Sequence, residues 1–583
     1  MLGRATSLAE RIAACRTAAD FGALRAECTD AVVASSSPRR VIVAGPGTGK
    51  TFLFERVLKA YGRKGLVLTF LAGLVGDLRL RLSECAEVST FHAFCKRWLH
   101  LLKGAGLGSE FLYYPLLFKL LEADFCILGY DKSTGIERAF YDLDDSESVI
   151  TNAIRLGKYY SAVSHTDCVF RVLRHLEKNR RQIQRYPVVV VDEYQDFNAL
   201  ETRFIEVLGW RSPLLIAGDD DQALYVFKRA RPDAIRGLAC SDTCERFELP
   251  FCSRCTAVMV QAANTVVLEA NKRGLLKNRV SKLYYPYPPD KDSDSRTYPT
   301  LADARCSVQN KRAPYMGKYV ARAIGRIPEA HVDDAKAKGE PTVLVIGPKQ
   351  FISQVHEYLA ANGVASILKT STPAEVVPLD GLRFLASDPE SRLGWRVTLH
   401  VDPVDDCEEL IGRVLSDTTE LADSLPASYR RSKLRLAQAV STLLRGEPLG
   451  PRATTELEST VGMPVCDVVT ALRSERDEDT MADEEPPPDD GPQVVCTSFQ
   501  GAKGLAAQHV FIVGMNDGHF PYRPSDPSEL ETCEFIVALT RGRRQCHLVS
   551  CGNFAGKWCD PSIFLQWVAP YTETITANKD YFA

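Results

Sequence analysis

Short apolar runs rich in β-branched residues alternate along the first part of the chain with segments whose apolar positions recur every three or four residues. Val41-Ile42-Val43-Ala44, Leu66-Val67-Leu68-Thr69-Phe70, Val188-Val189-Val190-Val191 and Leu214-Leu215-Ile216-Ala217 read as buried strands. Helical spacing is carried by Leu8, Ile12, Ala13, Phe21 and Leu24 within 1–34, and by Phe52, Leu53, Val57 and Leu58 in 52–61. A further helix is expected to start near Thr90, its cap. Residues 103–185 keep helical periodicity with no strong strand signal. Near the end of that stretch Arg171, Arg174, Lys178, Arg181 and Arg185 form a basic stripe, either a solvated face or a surface that tracks phosphates. Thr342–Ile346, His509–Val513 and Cys546–Val549 predict a second sheet, separated by a helical stretch at about 375–475. Strands alternating with helices predict parallel sheets covered on both faces. Glu475 to Gly491, mostly acidic with three consecutive prolines, reads as a linker.

Composition narrows the class. With 583 residues, 45% hydrophobic and 25% charged, the chain is ordinary globular protein of about four domain-sized units. The net charge of −3 supplies no global attraction to nucleic acid, so such binding must come from local patches. Met1 to Arg40 has no signal-peptide pattern, and no apolar run reaches the ~20 residues that span a bilayer. A cytoplasmic, reducing setting without membrane partners is expected. The 18 cysteines are scattered. Cys240, Cys244, Cys252 and Cys255 are spaced C-x3-C-x7-C-x2-C, but Phe247, Leu249 and Phe251 between them read as a strand, which favours buried thiols over a zinc knuckle.

The candidate chemistry starts where the first strand ends. Ala44-Gly45-Pro46-Gly47-Thr48-Gly49-Lys50-Thr51, between a strand and a helix, is a phosphate-binding loop with alanine at its first glycine position. Its backbone amides close around phosphates, Lys50 neutralises the outer ones, and the Thr51 hydroxyl suits Mg²⁺. The strand at 188–191 delivers Asp192 and Glu193, and the strand at 214–217 delivers Gly218-Asp219-Asp220-Asp221-Gln222. Carboxylates at the C-terminal ends of parallel strands lie where open α/β sheets bind ligands. Asp192 would hold Mg²⁺ with Thr51, and Glu193 would polarise the attacking water.

In order along the chain, these pieces resemble the UvrD/Rep-like superfamily 1 DNA helicases, over about residues 25–550. The loop at 44–51 resembles the family's first motif; Leu68-Thr69-Phe70 with Arg79 and Arg81 is similar to the next. Ser89-Thr90-Phe91-His92-Ala93-Phe94 resembles the Thr-Phe-His element, and Asp192-Glu193-Tyr194-Gln195-Asp196 the Walker B form. Gly218 to Phe227 is the most diagnostic string. Leu249 to Arg254 resembles the fourth motif. Gly501-Ala502-Lys503-Gly504-Leu505 with Gly518-His519-Phe520-Pro521 resembles the fifth, and Val537-Ala538-Leu539-Thr540-Arg541 the sixth.

The resemblance implies an α/β fold of two RecA-like domains, each with a helical insertion. The implied layout is 1–102 with 186–248 for the first domain and 103–185 for its insertion. Residues 249–374 with 492–583 form the second domain, and 375–491 a reduced insertion ending in the acidic linker. It implies ATP and Mg²⁺ as cofactors, with Lys50, Glu193, Gln222, Arg254 and Arg541 catalytic, Arg254 and Arg541 as arginine fingers and Gln222 as γ-phosphate sensor. Phe70, His92, Tyr225 and Phe227 are the implied DNA contacts. The implied activity is ATP-dependent 3′→5′ translocation and unwinding on single-stranded and tailed duplex DNA; DNA repair, recombination and antiviral defence are all open as its setting. The alternative is a DNA-gated NTPase switch that regulates a partner. The short stretch after Arg541 leaves no room for an appended nuclease domain, so cutting would fall to a separate nuclease. Departures from the family pattern cluster on the nucleoside: Cys28 for a base-reading glutamine, Ser253 for a stacking tyrosine, Ala506 for a ribose-binding glutamate. They imply intact triphosphate chemistry with relaxed base selection. Gln500 stands where the fifth motif has histidine, and Ala72 and Gly73 replace polar residues of the DNA-facing second motif, which implies a weaker grip on the strand or the need for a partner.

Overall fold

Six strands form the first sheet, in the order Ala86–Thr90, Gly65–Thr69, Val189–Val191, Leu214–Gly218, Arg39–Val43 and Glu245–Phe247, every pair parallel. The computed structural model describes residues 7–583 except 71, 102–110, 132–134, 145–147, 288–299, 311–312, 371–373 and 475–491. The acidic linker expected at 475–491 therefore lies outside the described residues. Valine and isoleucine dominate the inner strands, and Val189, Val190 and Val191 are wholly buried, because helices cover both faces of the sheet.

The second sheet is larger and also parallel throughout. Its order is Ile367–Lys369, Val494–Thr497, Val343–Ile346, Ala507–Val513, Gly542–Cys551, Leu301–Cys306 and Glu573–Ala577. The three strands predicted from sequence are its centre. The ones not predicted stand toward its edges or, like Val494–Thr497, are too short to show a period. Ala86–Thr90 escaped for a related reason: it ends on Thr90, whose hydroxyl caps the helix Phe91–Leu101 by accepting from the Ala93 amide at 3.2 Å. The two RecA-like sheets thus each carry a helical insertion.

The first insertion contains helices Leu117–Leu128, Ile136–Asp142, Ser148–Tyr159 and His165–Lys178; the second contains six, from Pro378–Ser387 to Val465–Ser474. The two are not separate bodies. Phe118, Leu121 and Phe125 share one continuous core with Phe384, Trp395, Ile411 and Val414. At its centre the Arg396 guanidinium donates to Asp124 at 2.8 Å, the Tyr160 hydroxyl donates to the other Asp124 oxygen at 2.7 Å, and Tyr114 donates to Asp380 at 3.0 Å. The expected basic stripe is broken. Arg171 is buried and paired with Asp167 at 2.8 Å, Arg174 pairs with Glu177, and the helix ends at Lys178, short of Arg181 and Arg185. Apolar burial on its other sides drew Arg171 inward, so no continuous phosphate-tracking face forms.

Two outcomes follow from this packing. Asp124→Ala leaves Arg396 buried without its carboxylate and is expected to cost about 3–5 kcal/mol, whereas Asp124→Leu with Arg396→Met recovers most of it. Hydrogen exchange should rise together in 117–128 and 392–401; a rise in only one segment would contradict the shared core. In the second sheet, burial and then His509 push His547 down to about 3. Its ring stacks on Phe511 at 4.4 Å, with Nδ1 2.8 Å from the Tyr319 hydroxyl. With the folded pKa below the unfolded value of about 6.5, the unfolded chain takes the proton first. Stability from this group is full above pH ~6.5 and falls by up to about 1.4 kcal/mol per pH unit as pH drops toward 3. His547→Phe should flatten the acid limb of a stability–pH curve by one proton; an unchanged limb would sink this assignment.

Candidate functional site

The strand Arg39–Val43 ends beside Leu214–Gly218, and the Ala44 amide donates to the Gly218 carbonyl at 3.0 Å before the chain turns. Gly47 and Gly49 take φ of 71° and 91°, a region that side chains disfavour. The helix Lys50–Ala60 then begins, its first amides turned to the loop. Ala44 is buried, and Gly45 lies under Tyr284, whose hydroxyl donates to the Pro46 carbonyl at 3.0 Å. These two residues shape the loop from below. Pro46, Gly47, Thr48, Gly49, Lys50 and Thr51 face a cavity of about 370 Å³.

That cavity lies between the two sheets. Asp192, Glu193 and Gln222 line it from the first, Arg541 from the second, and Arg254 from just past the end of the short strand Phe251–Cys252, which pairs with Tyr285–Pro286, so the structure brings together all the residues expected at the phosphate chemistry. Burial and the adjacent Glu193 charge push the Asp192 carboxyl up. Glu193 is half-buried, and Lys503 and Lys50 outweigh the burial penalty and hold its carboxyl down, in the ionised form. Gln195 donates to Glu193 Oε2 at 2.6 Å and accepts the Asp219 amide at 2.9 Å, which fixes the carboxylate. Gln222 bridges the halves: its Nε2 donates to Asp219 at 2.6 Å, and its Oε1 accepts from Arg541 at 2.9 Å. Burial and Arg254 push Arg541 down to about 10, so it remains a cation at neutral pH.

Lys503 had no role assigned from sequence. It is buried, donates to Asp196 Oδ2 and to the Gln222 carbonyl at 2.5 Å each, and stands 3.5 Å from Glu193. Its place between glycines in the fifth-motif string was the one available signal. Lys282 was also missed. Its ammonium lies 2.5, 3.0 and 2.7 Å from Asp219, Asp220 and Asp221, with Arg279 on Asp221 and Arg236 on Asp220. The three carboxylates are spaced as a cation site, and lysine fills it. They are the sole such cluster among the described residues, so Cys240, Cys244, Cys252 and Cys255 do not converge. Cys252 and Cys255 are buried thiols as expected; Cys240 is exposed, because its segment lies at the end of a surface helix.

The aromatic candidates differ in setting. Tyr225 is buried, 4.7 Å from the Phe70 ring, with its hydroxyl donating to the Gln500 carbonyl at 3.4 Å. Phe227 is 67% exposed, 5.8 Å from Tyr225. Phe70 is half-buried and packs against both cores. His92 is half-buried, 5.4 Å from His165, and burial, His165 and Lys228 push it down to about 3, so it is neutral. The Gln500 side chain is taken by Glu534 at 2.7 Å.

Sheet order, phosphate loop and two-sided cleft define the class: a P-loop NTPase architecture of two RecA-like domains. A family described as AAA domain matches residues 29–228. A probable DNA helicase II homolog of Mycoplasma pneumoniae is 21% identical over 91% of this chain and 84% of its own length. A probable DNA helicase II homolog of Mycoplasma capricolum is 24% identical, and a putative ATP-dependent DNA helicase of Bacillus subtilis 21% identical. Those two matches cover 35% and 47% of this chain, and 35% and 43% of the relatives. The matches bear out the resemblance to UvrD/Rep-like superfamily 1 helicases. Among the described residues, no helix is long and apolar enough to cross a membrane.

The closeness of the two halves is testable at Gly47. A Cβ there would lie 2.6 Å from Arg254 Cβ and carry the positive φ. Gly47→Ala should weaken nucleotide binding about 5- to 150-fold, from 1–3 kcal/mol of strain. Gly62→Ala, at φ 62° with open space around it, should leave calorimetric affinity unchanged. Equal losses in both variants would rule out the contact as the cause.

Proposed function

We propose that this chain is an ATP-dependent DNA helicase: single-stranded DNA stimulates hydrolysis, and hydrolysis drives 3′→5′ movement and duplex unwinding. The observation that carries this reading is the path from Gln222 to Tyr225 and Phe227. Gln222 is held by Arg541 through its side chain and by Lys503 through its carbonyl. Three residues on, Tyr225 packs on Phe70, and Phe227 stands open to solvent. Whatever moves Arg541 or Gln222 in the cleft therefore shifts an aromatic face suited to stacking on bases.

Within the cleft, Lys50 and the amides of 47–51 bind the triphosphate, Glu193 accepts the proton of the attacking water, and Arg254 and Arg541 stabilise charge on the transferred phosphoryl. The oxygens of Thr51 and Asp192 fit Mg²⁺, a hard cation that would offset the burial and the Glu193 charge that raise Asp192 and would supply charge neutralisation on phosphate oxygens. Single-stranded and tailed duplex DNA are the partners, with a separate nuclease as a further one. A second reading, a DNA-gated NTPase switch, is favoured by Gln500 being tied to Glu534 and by the burial of Tyr225.

Hydrolysis with and without single strands, run beside displacement of 3′- and 5′-tailed duplexes, separates the readings. Lys50→Ala and Glu193→Gln are expected to lower stimulated hydrolysis by about 10²–10⁴-fold. Phe227→Ala should raise the DNA concentration for half-maximal stimulation by about 5- to 150-fold. Stimulated hydrolysis without displacement selects the switch; neither activity defeats both readings, and displacement from 5′ tails alone defeats the polarity.

A further inference from the structure

Gln222 faces the phosphate cavity, and its side-chain amide is oriented from behind. Nε2 donates to Asp219 Oδ2 at 2.6 Å, while Oε1 accepts from Arg541 at 2.9 Å. The other oxygen of the same carboxylate, Asp219 Oδ1, takes the Lys282 ammonium at 2.5 Å and the Asp221 amide at 3.1 Å. Lys282 lies outside the lining of the phosphate cavity, with its side chain only 4% exposed. Burial disfavours its charge, but Asp219, Asp221 and Asp220 outweigh burial and raise the ammonium's pKa, so Lys282 stays a cation. The backbone that carries Lys282 is anchored without that ammonium. The Arg279 guanidinium donates to Asp221 at 2.9 Å, the Val280 amide to Asp220 at 2.8 Å, and the Tyr284 hydroxyl to the Pro46 carbonyl at 3.0 Å.

We propose that Lys282 is a positioning residue for Gln222: acting through Asp219, it fixes which end of the Gln222 amide meets Arg541 and the γ-phosphate. The proposal rests on the nucleotide-hydrolase reading of the cleft. The three carboxylates hold oxygens within 4.8 Å of one another, and buried like charges so close favour protonation of one of them. Without Lys282 they would face only the Arg279 and Arg236 guanidiniums, one positive charge too few. A protonated or rotated Asp219 no longer offers Nε2 a charged acceptor. The amide is then free to turn over, and a turned amide sets its own N–H groups against the Arg541 guanidinium, which has donors only. The lysine charge therefore keeps the Gln222 oxygen on Arg541 and the two halves of the cleft in register.

The test uses the full chain and two variants. Lys282→Met removes the ammonium and leaves a buried negative charge in excess, which itself threatens folding. Lys282→Met with Asp220→Asn restores neutrality, and the asparagine oxygen can still accept the Val280 amide. Both variants should lower kcat for single-strand-stimulated ATP hydrolysis by about 10²-fold, the effect of a small misplacement at the reacting centre. Calorimetric affinity for a non-hydrolysable ATP analogue should fall about 10- to 150-fold, the loss of a hydrogen bond to a charged group. Affinity for ADP, which has no γ-phosphate, should not change. Recovery of kcat in the double variant would reduce Lys282 to a counter-charge and overturn the proposal. Equal losses for the analogue and ADP, or no loss in either variant, overturn it as well. A wild-type chain that hydrolyses no triphosphate overturns the hydrolase reading instead, and the comparison of analogue with ADP then decides Lys282 by itself.

Discussion

At Gly47 the phosphate loop runs against the backbone of Arg254, with the Ser253 amide donating to the Gly47 carbonyl at 2.9 Å. Tyr284 holds the same loop from the other flank through the Pro46 carbonyl. The approach needs a residue with no Cβ in a left-handed conformation, which only glycine adopts without strain. Everything that crosses the cleft depends on it. The Arg541–Gln222 and Lys503–Asp196 contacts cross the same cleft.

The charges that cross the cleft are buried, and this decides their character. A buried ion pair contributes little net stability over apolar packing, yet losing one member leaves an uncompensated charge. Lys503 among Glu193, Asp196 and the Gln222 carbonyl, and Lys282 among three aspartates, are such groups. They tie the phosphate-loop sheet to segments across the cleft. A ligand that adds charge at Lys50, Glu193 or Arg541 competes directly with these pairs, so occupancy of the cavity and the spacing of the sheets are one equilibrium. The joined insertions add a second constraint, since each is rooted in a different sheet and they share one core.

Much of the architecture could be read from the chain alone. The valine-rich runs at 188–191 and 509–513, apolar on both faces, announce central strands of parallel sheets. The glycines of 45–49 followed by Lys50 and Thr51 announce a loop whose backbone must close on phosphate. Asp192 and Glu193 were found because they follow the end of such a strand, whereas Gln222 was picked out by the family resemblance of Gly218 to Phe227. These signals are local: a residue's own period and its immediate neighbours carry them.

Other features are set by partners far away in sequence, and no local pattern contains them. Tyr225 and Phe227, two residues apart, look alike in the chain; one is buried against Phe70 and the other open, because only the second sheet's residues decide which is covered. Arg171 looked like part of a charged face; its partner Asp167 is one turn away on the same helix, but the burial of the pair comes from other segments. Asp219, Asp220 and Asp221 resemble a cation site, and only the fold supplies Lys282. Edge strands such as Glu573–Ala577 have too little burial to show a period. The sequence by itself determined two parallel sheets and the phosphate chemistry, since periodicity and glycine spacing are properties of consecutive residues. The tertiary structure decided which aromatic is presented, which charge is neutralised and how the insertions join, since those are settled by burial between segments that are not neighbours in the chain.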